Sequence, residues 1–262
     1  MKILVAHDGL LSSDAAIDDM QQAGLPLDAK AFVVCVADAG GRHAAKALAD
    51  TAGSRIQSHF PRWEVSAEAS SGSPAEAILK TSQWWRPDLL IIGSGAFALE
   101  RSMTSSVPLD VAHRARCSVR VARPGVQTPR RIRLVLGNNG SKACEAVVHE
   151  VARRRWPENT DAHVISVVES RLPQGKEQER VRLRAMDGNY INRLRDAGLT
   201  VNRRFINGDP REELIQESER CNANAIFVGP RCMPGLARFL LGSVATAVLT
   251  RARSTVEVVR QN

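Results

Sequence analysis

Residues 72–93, GSPAEAILKTSQWWRPDLLIIG, and residues 208–229, GDPREELIQESERCNANAIFVG, align without a gap at an offset of 136. Gly72 meets Gly208, Pro74 meets Pro210, Glu76 meets Glu212, Ile78 meets Leu214 and Gly93 meets Gly229. The likeness continues on both sides of this window. SSVPLDVAHRARCSVRVAR (105–123) lies over GSVATAVLTRARSTVEVVR (242–260) at offset 137, and AFVVCVAD lies over AHVISVVE at offset 131. An internal repeat of this length constrains the fold more than any local propensity does, because both copies must satisfy one architecture. The 262 residues therefore divide into a domain over 1–124 and a second over 130–262, with Pro124, Gly125 and Pro129 of RPGVQTPRR marking a linker.

Within each copy short apolar runs alternate with amphipathic stretches. ILVA, FVVCVA, LLIIG and SVRVA in the first copy, and RLVL, HVISVV, AIFVG and TVEVV in the second, read as strands buried on both faces. That alternation predicts an α/β fold, a parallel sheet with helices on both faces, in duplicate. Helix starts stand at SGSPAEAILK and NGDPREELIQ, where a small polar cap precedes proline and an acid follows in the first turn. In an open sheet of this kind a ligand binds beyond the carboxyl ends of the strands, so the loops after the first and fourth strands are the places to look.

The loop after the fourth strand of the second copy, GPRCMPGLARFLLGSV, has glycines at 229, 235 and 242 and restarts as a helix at Gly242, Ser243 and Val244. Glycines admit a ligand close to the backbone, and a helix start offers N–H groups and a hydroxyl to a phosphate. The loop carries neither the GK[ST] of a Walker site nor the close glycine spacing of a dinucleotide fingerprint. Repeat and loop together resemble the universal stress protein family, in its tandem form with two domains in one chain. Members that bind ATP carry a glycine, two residues, a second glycine, nine residues, then glycine with serine or threonine. Gly229, Gly242 and Ser243 keep that spacing, with Arg231 inside the loop and Cys232 in place of the second glycine. The resemblance implies an acid after the first strand, met by Asp8 in the first copy and replaced by Asn139 in the second. It also implies an adenine-facing backbone edge at the end of the second strand, at Val36 and Val167. In the first copy the loop starts at Gly93, has alanine at 96 and Ser105 for the third glycine, and places Ser106 at the helix start.

The architecture implied by this resemblance is a pair of five-stranded doubly wound domains related by pseudo-twofold symmetry, an intrachain counterpart of a homodimer. The last strands are the candidate contact, and further association into a homodimer stays open. The implied ligand is an adenine nucleotide, ATP with or without magnesium, held mainly by the second copy. The segment from Gly229 to Ser243 has no lysine and no acid, so a regulator is expected rather than a catalyst, with slow hydrolysis or self-phosphorylation left open. The alternative is a protein-interaction or structural stress protein whose nucleotide sites have decayed.

Charge separates the copies. Residues 1–125 carry 13 basic and 13 acidic side chains, whereas residues 126–262 carry 23 and 15, so the net +8 lies in the second half. An anion is expected to prefer that half, and its basic clusters read as a solvated face, with an acidic protein partner as the alternative. Nucleic acid is not expected, since aromatic residues make up 4% of the chain and do not interleave with RRIR, RRRW or RVRLR. His113 and Cys117 stand four apart without further ligands nearby, so no metal site is expected. His7 beside Asp8 reads as structural or nucleotide-lining, and Trp84 and Trp85 as packing residues. Five scattered cysteines suit reduced thiols, and a start that runs directly from Met into a strand, with no long apolar stretch, suits a cytoplasmic protein without a membrane segment.

Overall fold

The computed structural model describes residues 1–37, 41–95, 107–124, 131–168, 188–230 and 241–260. The chain separates into two compact units, Met1–Val126 and Gln127–Gln261. Among the described residues no helix is long and apolar enough to cross a membrane.

In the first unit, strands β1 (Lys2–His7), β2 (Lys30–Val36), β3 (Glu64–Ser70), β4 (Leu89–Gly93) and β5 (Ser118–Ala122) alternate with helices α1 (Leu11–Asp19), α2 (Gly41–His59), α3 (Pro74–Trp85) and α4 (Val107–Arg114). All pairings are parallel, in the order β3-β2-β1-β4-β5. Strand β1 thus has β2 on one side and β4 on the other, and the chain winds outward in both directions from the crevice between β1 and β4. The second unit repeats the plan with β6 (Arg133–Asn138), β7 (Asp161–Val168), β8 (Thr200–Asn207), β9 (Ala225–Val228) and β10 (Thr255–Val258). Its helices are α5 (Lys142–Ala152), α6 over 188–196, α7 (Pro210–Arg220) and α8 (Ser243–Arg251). The order is β10-β9-β6-β7-β8, again all parallel. Both sheets are of the doubly wound type that the alternating pattern predicts.

Each unit has its own core. Ile3, Val5, Ile17, Met20, Ile56, Leu89 and Ile91 pack together in the first, and Leu134, Leu136, Val147, Val151, Val164, Leu194 and Phe227 in the second. Strands β4 and β9 are buried along their whole length, while β3 and β8 at the sheet edges are largely open to solvent. The helix starts at Pro74 and Pro210 agree with the sequence reading, with one difference at the cap. Asp209 accepts a hydrogen bond from the Arg211 N–H, whereas Ser73 makes no side-chain cap bond.

Candidate functional site

The loop after the first strand is built alike in both units, although its residues differ. His7 accepts from the Gly9 N–H through Nδ1 at 3.2 Å, and its Nε2 stands 3.2 Å from Asp14 Oδ1. That arrangement makes the buried ring a brace for the turn, with the proton on Nε2. In the second unit the equivalent Asn138 accepts from the Gly140 N–H at 3.0 Å and donates to Ser166 Oγ at 3.1 Å. One position later, Asp8 accepts from the Leu10 N–H at 3.0 Å and Asn139 accepts from the Ser141 N–H at 3.1 Å, the same side-chain turn in each case. Ser13 Oγ and Cys144 Sγ then receive the N–H groups of Asp8 and Asn139. Asn in place of Asp therefore preserves the loop and removes its charge.

Gly93 and Gly229 close the fourth strand of each unit, and their side-chain direction faces inward. A Cβ on Gly229 would lie 2.7 Å from Ala143 Cβ and 2.9 Å from the Ala143 carbonyl, and one on Gly93 would collide with the Ser12 carbonyl. Both glycines are required by the first turn of the neighbouring helix, α5 or α1. Internal packing against Ala143 is thus a reason for glycine at 229 that stands beside any approach of a ligand to its backbone.

A cavity of about 330 Å³ opens at the carboxyl ends of β6, β7 and β9. Asn139, Val167, Gly229 and Val244, four residues singled out from the sequence, line it together. Gly137, Cys144 and Leu214 line it too and were not singled out as site residues; Cys144 and Leu214 are recognisable as such only once α5 and α7 are seen to wall the crevice. The Val168 carbonyl accepts from the Gly208 N–H on the β8 side. Strand alternation then turns the Val167 carbonyl to the β6 side, one residue beyond the last β6 pair, Asn138 with Ser166. Gly242 is the N-cap of α8 with ordinary extended backbone, φ −72° and ψ 162°, and Ser243 is its first residue. The far end of α8 is tied to α7 by Arg251, whose Nη1 and Nη2 donate to Glu212 at 2.5 and 2.6 Å. Arg114 meets Glu76 at 2.6 Å in the first unit in the same way. These contacts pull Glu76 and Glu212 below the ordinary carboxylate value of 4.5, the arginine hydrogen bond being the main cause.

In the first unit Asp8 is exposed, Val36 half-buried and Gly93 buried, each at the place matching its counterpart in the second. Arg231, Cys232 and Ser106 lie outside the described residues, as do Ala96 and Ser105. Of the cysteines, Cys35 sits at the end of β2, where burial first and the Asp8 charge second push its thiol up to about 12. It is a packing residue rather than a nucleophile.

A doubly wound parallel sheet with a ligand-sized cavity beyond the strand ends, its sheet present in duplicate, defines the class of protein. The model of the universal stress protein family matches residues 1–123 and again 131–260, and the chain belongs to that family. A universal stress protein of Mycobacterium tuberculosis is 30% identical over 210 residues, spanning 76% of this chain and 70% of the relative. Among solved structures, a universal stress protein from Archaeoglobus fulgidus has a TM-score of 0.71 at 19% identity, over 100% of this chain and 98% of its own. One from Pseudomonas aeruginosa, described as putative, has a TM-score of 0.70 at 18% identity, over 99% and 92%. At these identities the two structures speak to the fold.

Proposed function

We propose that the protein is a stress-response regulator that binds an adenine nucleotide, ATP or a close relative, in its second unit. The observation that carries this reading is the convergence of Asn139, Val167, Gly229 and Val244 on one cavity at the crevice of the sheet. Its volume of about 330 Å³ is at the lower end of ligand pockets and matches the nucleoside part of such a ligand. The Val167 carbonyl suits the adenine amino group, and the amide of Asn139 suits a ribose hydroxyl. Phosphates would extend to the N-terminus of α8, where Gly242 and Ser243 offer N–H groups at the positive end of the helix dipole. The excess of 23 basic over 15 acidic residues in this half favours an anion.

Calorimetric titration of the full chain with ATP, with and without magnesium, tests the reading after an aliquot has been denatured and checked for carried-over nucleotide. One ATP per chain is expected. Gly242→Asp keeps a good helix cap but sets a negative charge against the phosphates, so binding should vanish. Asn139→Ala should weaken affinity about five- to tenfold, the worth of one hydrogen bond, and Asp8→Ala should leave it unchanged. No binding and no carried-over nucleotide would sink the proposal and turn attention to protein partners of the basic half.

A further inference from the structure

The position filled by Phe32 on β2 in the first unit is filled by His163 on β7 in the second, at the repeat offset of 131. Across from it, Thr81 and Trp85 of α3 correspond to Glu217 and Cys221 of α7 and its C-cap, at offset 136. In the first unit this place is apolar: the rings of Phe32 and Trp85 lie 5.6 Å apart, and Thr81 satisfies its hydroxyl on the Ala77 carbonyl. In the second it holds an imidazole, a carboxylate and a thiol whose ligand atoms all lie within 4.8 Å of one another. The fold does not demand ionisable groups at this point, since the first copy does without them.

We propose that His163, Glu217 and Cys221 form a site for a zinc-class divalent ion. One imidazole nitrogen, one carboxylate oxygen and one thiolate are the donor types zinc takes, and three protein ligands leave a fourth position for water. Tetrahedral zinc sets its donors roughly 3.5 Å apart, given bonds of about 2.0 to 2.3 Å. His163 Nδ1 and Glu217 Oε1 are already at 3.2 Å, and both stand on packed elements. Glu217 and Cys221 are one helical turn apart, so their side chains leave the same face of α7. The ion replaces the hydrogen bond between His163 Nδ1 and Glu217 Oε1: the metal-bound imidazole carries its one proton on Nε2, and any displaced from Nδ1, like the Cys221 proton, passes to solvent as the bonds to the metal form; nothing is oxidised or reduced.

Two arginines hold the carboxylate when no ion is bound. Arg220 donates to both oxygens at 2.5 and 2.8 Å, and Arg204 donates to Oε2. Their side chains are 57% and 44% exposed, so each can leave Glu217 without unpacking the core. They compete with the ion, which makes a prediction that a purely structural carboxylate–arginine cluster does not share. Removing Arg220 should tighten metal binding.

Cobalt(II) is the probe, added to the reduced full-length chain and read by the thiolate-to-cobalt charge-transfer band and the tetrahedral ligand-field bands, with displacement by zinc afterwards. One cobalt per chain with a thiolate band is expected. Cys221→Ser should abolish the band and His163→Phe should weaken affinity by more than about tenfold. His163→Phe introduces the side chain that the first unit carries at this position, and urea midpoints report whether either variant has lost its fold. Arg220→Gln should raise affinity. Absence of a thiolate band in the unsubstituted chain, its survival in Cys221→Ser, or weaker binding in Arg220→Gln would each overturn the assignment. The nucleotide proposal stands or falls separately.

Discussion

Arg120 stands at the centre of β5 in the first unit, and Glu257 stands at the equivalent place on β10 in the second, both fully buried. Asp19, at the end of α1, answers Arg120 with contacts of 2.5 and 3.2 Å. Arg154, just beyond α5, answers Glu257 and reaches Glu150 at 2.9 Å as well. Two copies of one module have thus kept a buried ion pair between the last strand and the first helix while reversing its sign. What the fold specifies at this point is neutrality, because an unpaired charge cannot remain in the interior, and either polarity achieves it. The site shows the same freedom: Asp8 and Asn139 build one turn, and Phe32 with Trp85 occupies the ground of His163 with Cys221.

The largest expected effect comes from breaking that neutrality. Arg154→Ala removes the hydrogen bonds that Arg154 donates to the buried Glu257 and should destabilise the second unit by about 3–5 kcal/mol. Hydrogen exchange of the second unit's core amides across a urea series measures it. Joint replacement of Arg154 and Glu257 by methionine should recover most of the loss, and failure to recover would mean that the polar pair supplies more than neutrality.

A smaller effect is expected at the paired glycines. Gly93→Ala and Gly229→Ala should each cost about 1–3 kcal/mol through overpacking, with Gly93 the worse. Its added methyl meets the Ser12 backbone, whereas at Gly229 the nearest atom is the Ala143 methyl. Equal stability of Gly229→Ala and the unsubstituted chain would mean that the contact with Ala143 gives way and that packing does not require glycine there.

The smallest difference is in acid. Burial by itself would raise Glu150 and Glu217, but Arg154 and Arg153 around the first, and Arg220 and Arg204 around the second, hold both below the ordinary value of 4.5. A carboxylate with a lowered folded value contributes stability above its unfolded value, and that contribution is lost as pH falls through the folded one. The second unit, which gathers both buried groups, should therefore lose hydrogen-exchange protection at a higher pH than the first on acid titration. Simultaneous loss in the two units would remove the asymmetry.

Much of this was legible in the sequence where one physical rule dominated. Buried parallel strands show as unbroken apolar runs, so β1, β2, β4 and their counterparts are visible as ILVA, FVVCVA and LLIIG. The edge strands β3 and β8, EVSAEAS and TVNRRFIN, carry no such run because one side of each faces water. Asn139, Val167 and Val244 were traceable by repeat offset and loop spacing. Cys144 and Leu214 were not, since helix faces turn them into the crevice and no local pattern records that.

The amino-acid sequence by itself determined the duplication, the doubly wound class, the family and the concentration of positive charge in the second half. These are properties of order and composition, and they survive translation along the chain. Only the tertiary structure decided why Gly93 and Gly229 must be glycine, which residues neutralise Arg120 and Glu257, and that His163 meets Glu217 and Cys221. Such facts depend on distances between residues 54 to 103 apart in the chain, and packing sets those distances after the chain has folded.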